Sequence, residues 1–293
     1  MNSKQLMQKI SAGEILVSDG ATGTNLLVRG LPSGMPSDIW VLENPEQILK
    51  LHREFIEAGS NILLTCTFGA TSARLEQNGL GEKASELNTR AVELARQAAG
   101  EKEIFIAGSM GPTGHMLEPF GTMSEADAIA TYTQQAKALI EAGVDLIVIE
   151  TQFDLTEARA AIQAVRSQSS LPLVCSFSFD RGTRTMMGIS PTQLGKELSG
   201  SGVNLLGINC GRSIEDNYKS LQELRQATDL PIWFKPNAGM PRVDAQDRPI
   251  YDLTPEMMAS HVPEWIAAGA QIIGGCCGTS PDHLRKIAEA VQK

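Results

Sequence analysis

Short apolar runs bounded by turn residues recur at even spacing along the 293 residues. They are ILVSDG from Ile15, NILLTCTF from Asn61, IFIAGSM from Ile104, DLIVIET from Asp145, LPLVCSFSF from Leu171, NLLGINC from Asn204, PIWFKP from Pro231 and QIIGGCC from Gln271. Most are unbroken, not alternating, which is the pattern of strands covered on both faces. Between them lie segments with apolar residues at helical spacing, among them PEQILKLHREFIEAG, ASELNTRAVELARQAAG, EADAIATYTQQAKALIEAG and TPEMMASHVPEWIAAG. Several close on Gly or Ala-Gly just before the next run, a helix-stop signal. Strand then helix, eight times over, predicts an α/β chain folded as a (β/α)8 TIM barrel. A doubly wound open sheet is the runner-up. Against it, the first strand is followed by DGATGT, residues 19–24, which misses the dinucleotide-binding spacing of glycines.

No low-complexity linker or charge run divides the chain, so residues 1–293 read as one domain. The longest irregular stretches, LVRGLPSGMPSDIWVLENP and NAGMPRVDAQDRPIYD, each follow a strand. In a barrel such loops belong to the catalytic face.

Composition narrows the chemistry. The net charge of −9, from 34 acidic and 25 basic residues, argues against a phosphate-binding surface and hence against nucleic acid as a partner. The N-terminal MNSKQLMQKISAGEI has no apolar core of a secretory signal, and no run approaches the roughly 18 apolar residues of a membrane helix. The expectation is a soluble, cytoplasmic protein without a membrane partner. Five cysteines are too few for a disulfide scaffold; in a reducing compartment they are free, catalytic or metal-bound.

Strand ends converge on one mouth in a barrel, and here they carry Asp19, Thr67, Phe68, Ser109, Met110, Glu150, Thr151, Ser178, Asn209, Cys210, Asn237, Cys276 and Cys277. Cys66 and Cys175 lie inside apolar runs and read as core filler, Cys66 near enough to the mouth to leave a site contact open. The four histidines read as surface or loop positions. Adjacent Cys276 and Cys277 could be filler, a vicinal disulfide or two ligands of one ion. A disulfide there would be strained and has no resolving C-x-x-C beside it. Neighbouring strand side chains point to opposite faces, so two thiols reach one centre only if the backbone leaves strand geometry, a freedom that Gly274, Gly275 and Gly278 supply.

With Cys210 as a third thiolate, zinc is the best-suited ion, bound at about 2.3 Å per sulfur with one position open. Three thiolates make zinc a poor Lewis acid for hydrolysis and a good host for a substrate thiol, which metal binding deprotonates. That argues for alkyl transfer to sulfur. Asp19 and Glu150 could take an ammonium group, and backbone N–H groups around TFGAT and SMGPTG a carboxylate. A thiol-bearing amino acid answers all three demands.

DGATGT (19–24), LTCTFGAT (64–71), GSMGPTG (108–114), VIETQFD (148–154), GINC (207–210), KPNAGMP (235–241) and GGCCGTSP (274–281) together resemble the zinc-dependent homocysteine S-methyltransferases. Within that family the cysteine and PNAGMP motifs look most like the homocysteine module of cobalamin-dependent methionine synthase. The resemblance implies zinc on Cys210, Cys276 and Cys277, the homocysteine ammonium at Asp19 and Glu150, and its carboxylate at the backbone of Phe68 and Gly69. Cys66 departs from the pattern, standing where the methionine-synthase type usually carries Asn. No corrinoid-binding signature is present, so the resemblance implies a methyl group delivered by methylcobalamin on a separate corrinoid protein. A small sulfonium donor such as S-methylmethionine is the alternative, and a non-catalytic zinc- or thiol-binding protein is the alternative of another class.

Overall fold

The computed structural model of the chain describes residues 3–240, 242–243 and 249–292. Pro241 of the PNAGMP motif and residues 244–248 of the loop that follows it lie outside them. Eight strands form one parallel sheet: β1 (Leu16–Val17), β2 (Ile62–Leu64), β3 (Phe105–Met110), β4 (Leu146–Gln152), β5 (Leu173–Phe177), β6 (Leu205–Cys210), β7 (Ile232–Pro236) and β8 (Ala270–Ile273). Neighbours follow chain order, and β1 pairs with β8 through Leu16–Ile272 and Val17–Ile273. A bridge between Ser18 and Ile62, with Asp19 N–H donating to the Ile62 carbonyl at 3.0 Å, closes β1 onto β2. The sheet is therefore the predicted (β/α)8 barrel.

Helices return each strand to the start of the next. The apolar spacing is realised as Pro45–Glu57, Ala84–Ala99, Glu125–Glu141, Leu155–Gln168, Pro191–Leu198, Ile214–Ala227 and Pro281–Val291. TPEMMASHVPEWIAAG forms two helices instead of one, Pro255–Ser260 and Val262–Ala267, meeting at His261. Pro263 explains the break, since it has no N–H to give and its ring crowds the carbonyl one turn back.

The two largest apolar clusters among the described residues make up the core. The larger lies between strands and helices and contains Phe55, Leu139, Phe177, Phe234 and Trp265. The smaller fills the barrel: Leu16, Ile62, Leu64, Phe105, Ala107, Leu146, Val148, Val174, Leu205, Trp233 and Ile272. A helix that the strand–helix pattern leaves out, Ser3–Ser11, closes its floor with fully buried Leu6 and nearly buried Ile10. Burying each such side chain contributes about 1.5–3 kcal/mol. Two histidines also differ from expectation. His52 and His283 are buried on helices, because His52 shares the inward stripe of Ile48, Phe55 and Ile56, and His283 caps its own helix by bonding Ser280.

Candidate metal and substrate site

Interior side chains recur every second residue along a strand, and on the upper half of the barrel that series turns polar. Ala107 is followed by Ser109, Val148 by Glu150, Val174 by Ser176, and Trp233 by Lys235. Above them a cavity of about 330 Å³ opens at the C-terminal ends of the strands, and Ser109, Glu150, Cys210, Lys235, Cys276 and Cys277 all line it.

The three thiols meet. Cys210, Cys276 and Cys277 Sγ atoms lie within 4.8 Å of one another, with Cys210 and Cys276 at 2.8 Å. That exceeds the roughly 2.05 Å of a disulfide, and all five cysteines are free thiols. Cys210 ends β6 with φ +59, and Gly211 follows at φ +77. This left-handed pair is held by Asn217, whose Nδ2 donates to the Cys210 carbonyl at 2.7 Å. A side chain on Gly211 would collide with Asn217.

The other two thiols lie three and four residues beyond β8. Their turn is pinned from three sides: Cys276 N–H donates to the Pro236 carbonyl, Ala238 N–H to the Cys277 carbonyl, and Gly278 N–H to Thr24. Of the three glycines expected to free this backbone, only Gly278 adopts a left-handed φ, +81. Gly274 and Gly275 matter for approach instead, since a Cβ there would strike Ser18 and Thr279 at 2.1 and 2.4 Å.

Cys277 titrates well below the ordinary thiol value because Cys210 and Cys276 both hydrogen-bond to it, outweighing its burial. Cys210 is pushed well up by its bonds to the other two sulfurs and by burial. For Cys276 the bond from Cys210 acts downward, but its bond to Cys277, burial and the Cys277 charge push it up to about 12. Two thiols thus lean on one thiolate, an arrangement that a soft cation can replace. Three sulfur donors fit zinc, and among the described residues no fourth Cys, His, Asp or Glu joins them. A closed structural site does not fit that donor set. Beside the trio, buried Asn237 Oδ1 has no hydrogen-bond partner among the described residues, and Tyr251 hydrogen-bonds Cys277.

Glu150 sits at a register shift of β4 on β5, where Thr151 takes φ +60. For a β-branched residue that conformation costs about 1–3 kcal/mol. Asn209 holds it: Oδ1 accepts from Thr151 N–H at 2.9 Å and Nδ2 donates to Thr151 Oγ1 at 2.6 Å, the same amide reaching Cys276 Sγ at 3.8 Å. Glu150 Oε1 accepts from Ser109 Oγ at 2.5 Å. Burial pushes its carboxyl up to about 7, against the downward pull of Lys235.

The remaining expected residues are placed as follows. Asp19 is fully buried behind the cavity wall, with Oδ1 on Lys235 Nζ at 2.7 Å and Oδ2 on Leu64 N–H at 2.8 Å. Phe68 lines the cavity, under the Arg74 guanidinium. Gly69 N–H donates to buried Asp38 Oδ1 at 2.9 Å. Cys66 is buried just beyond β2 on the cavity wall, and Cys175 is wholly core. Lys235 and Tyr251 were not singled out from sequence. The Lys in PIWFKP was a signal, because a lysine inside an apolar strand must find a buried partner.

The chain matches the family model described as homocysteine S-methyltransferase over residues 16–291. Among solved structures it is similar to the metallated form of the Escherichia coli homocysteine methyltransferase MmuM, with TM-score 0.83 and 28% identity, covering 98% of this chain and 99% of that one. The oxidised form of the same protein gives TM-score 0.78 and 29% identity, with 94% and 95% covered. The carboxyl transferase domain of Rhizobium etli pyruvate carboxylase shares the fold alone, at TM-score 0.57 and 15% identity over 99% of this chain and 52% of that one. The thiol trio, the barrel that presents it and the match along nearly the whole sequence agree: the chain belongs to the homocysteine S-methyltransferase family.

Proposed function

We propose that the chain transfers a methyl group to the thiol of homocysteine, forming methionine, with zinc held by Cys210, Cys276 and Cys277. The observation that carries the reading is three thiols converging in a cavity beside a buried carboxylate, with no fourth protein ligand among the described residues. Zinc, when bound, supplies deprotonation of a substrate thiol near neutral pH while leaving its sulfur nucleophilic. The chain's own residues do the rest. Glu150, oriented by Ser109, receives the substrate ammonium, and Asp19 sets the charge behind it through Lys235. Asn209 keeps Thr151 and Cys276 in place. The homocysteine sulfur attacks the methyl carbon in line, the new C–S bond forms as the methyl bond breaks, and the electron pair stays on the donor. The thiol proton passes to solvent.

For the donor, the reading is methylcobalamin on a separate corrinoid protein. Support comes from the rim. Val28, Met116, Phe120, Met186, Met240 and Ile250 are exposed apolar side chains on segments that follow the C-terminal ends of strands. Exposed apolar side chains on that face suit a docked protein more than a freely diffusing ion. A second reading, a small sulfonium donor such as S-methylmethionine, is favoured by buried Asp38 on the cavity wall. Methionine formation assayed in parallel with methylcobalamin, S-methylmethionine and betaine tests both. Methylcobalamin activity is expected; activity with S-methylmethionine alone selects the second reading, and activity with betaine alone overturns both. A reducing cytoplasm would keep the thiols available, and among the described residues no helix is long and apolar enough to cross a membrane.

A further inference from the structure

The segment that follows β7 is tied at both ends to the turn that carries Cys276 and Cys277. Ala238 N–H donates to the Cys277 carbonyl at 2.9 Å, and Leu253 N–H donates to the Ala238 carbonyl at 3.1 Å. Between those anchors Tyr251 lies against Gly278, where a Cβ would stand 2.2 Å from the ring's Cγ and 2.4 Å from its Cδ2. Gly278 also holds φ +81, so its position suits neither the bulk nor the backbone of a larger residue. The ring is thereby directed at the thiols, and the Tyr251 hydroxyl hydrogen-bonds the Cys277 sulfur.

The far side of the segment is held from the last helix, Pro281–Val291. Ser280 meets His283 Nδ1 with its N–H at 3.2 Å and its hydroxyl at 2.9 Å. Because Nδ1 accepts from that N–H, Nε2 carries the ring proton and donates to the Leu253 carbonyl at 2.9 Å. His283 is buried with both nitrogens used, which makes it a brace across two backbone segments. Outside the trio, two donors reach its sulfurs among the described residues: Tyr251 on Cys277, and Asn209 Nδ2 on Cys276 at 3.8 Å. The bonds that the thiols make to one another use S–H protons, which are lost when thiolates bind an ion. A phenol keeps its proton at neutral pH, so the Tyr251 bond persists beside bound metal.

We propose that Tyr251 is a positioning residue of the metal site, donating to the Cys277 thiolate, and that His283 acts through it by holding the Leu253 carbonyl. The proposal rests on the zinc reading above. A hydroxyl on one of the three thiolates fixes its lone pairs and draws charge from it, which offsets part of the negative charge that the trio brings to a buried site. His283 stands six residues past Cys277, so one short run supplies two thiols and the brace for the tyrosine above one of them.

The test is metal binding by the full chain, read with zinc by chelator competition and with cobalt(II) by its absorption spectrum. Hydrogen-bond partners of metal ligands are worth about 10–100-fold in affinity, so Tyr251→Phe, which keeps the ring against Gly278, should weaken zinc by about that factor. In the cobalt-loaded protein the sulfur-to-metal charge-transfer band should move to lower energy, because a thiolate without its hydrogen bond gives up an electron more easily. The d–d bands should keep their pattern. A tyrosine that only fills space would leave the charge-transfer band in place. His283→Leu should weaken zinc by no more than Tyr251→Phe does, and adding it to Tyr251→Phe should cost nothing further, the mark of residues acting through one contact. A charge-transfer band that Tyr251→Phe does not move overturns the role of Tyr251, whatever the affinity. Fully additive losses overturn the part given to His283. Wild-type chain that binds neither metal through sulfur overturns the zinc reading itself.

Discussion

Two residues separate two different materials inside this barrel. Below, Phe105, Ala107, Leu146, Val148 and Trp233 pack with Leu6 and Ile10 into an apolar plug. Above, the same strands present Ser109, Glu150 and Lys235, followed by three thiols on left-handed or tightly crossed backbone. The lower half gains from close packing and asks little of backbone geometry. The upper half holds buried charge and strained φ angles, and it stands only because the lower half and the outer helices over-determine it. Stability and function should therefore separate along a single strand.

The largest separation is expected at the thiols. Cys210→Ser should reduce bound zinc from one per chain to near zero and lower methionine formation by more than about 100-fold, because partners outside the ligand set alone are worth about 10–100-fold. Its unfolding midpoint, measured on metal-free protein, should stay near that of the metal-free wild type. A large loss of metal-free stability would show that the mouth carries the fold after all.

The converse variant lies at the floor. Leu6→Ala should cost about 2–5 kcal/mol of unfolding free energy, read from urea midpoints, while zinc stoichiometry and homocysteine affinity hold. A shift in homocysteine affinity would mean that the plug and the mouth are coupled.

A third prediction concerns the outer core. His52 is buried with no hydrogen-bond partner among the described residues, and burial lowers it from 6.5 to about 4. Above pH 6.5 both states are neutral and the group contributes nothing. As pH falls from 6.5 toward 4 the unfolded chain binds a proton that the folded chain refuses, so stability drops, by about 3 kcal/mol in full. His52→Leu should remove that part of the acid slope in urea melts between pH 7 and 4.5. An unchanged slope would mean that His52 titrates normally in the fold.

The smallest effect is at Asn209, which touches both halves of the site. Asn209→Ala should weaken zinc by about 10–100-fold, measured by competition with a chelator, by releasing Thr151 and Cys276 together. Unchanged zinc affinity would separate the strained strand end from the metal site.

The same division explains what could be read from the sequence. Strand and helix alternation was legible because most strand runs are unbroken apolar stretches and several of the helical segments between them close on glycine. The cysteine trio was legible because GINC ends one strand on a thiol and GGCCGTSP places two thiols just past another. Lys235 was hidden: its partner Asp19 is 216 residues away, and only barrel closure brings them to 2.7 Å. The plugging helix was missed because Leu6 and Ile10 become a floor only once a barrel exists above them. Gly274 and Gly275 were read for backbone freedom when their role is contact, since sequence shows a missing side chain but not what would have struck it.

The central claim is that three cysteines hold a metal whose remaining position belongs to the substrate sulfur. X-ray absorption at the zinc edge, recorded with and without saturating homocysteine, tests it most directly. The account predicts that the sulfur count rises from three to four as a lighter ligand is lost. A spectrum unchanged at saturation would contradict it.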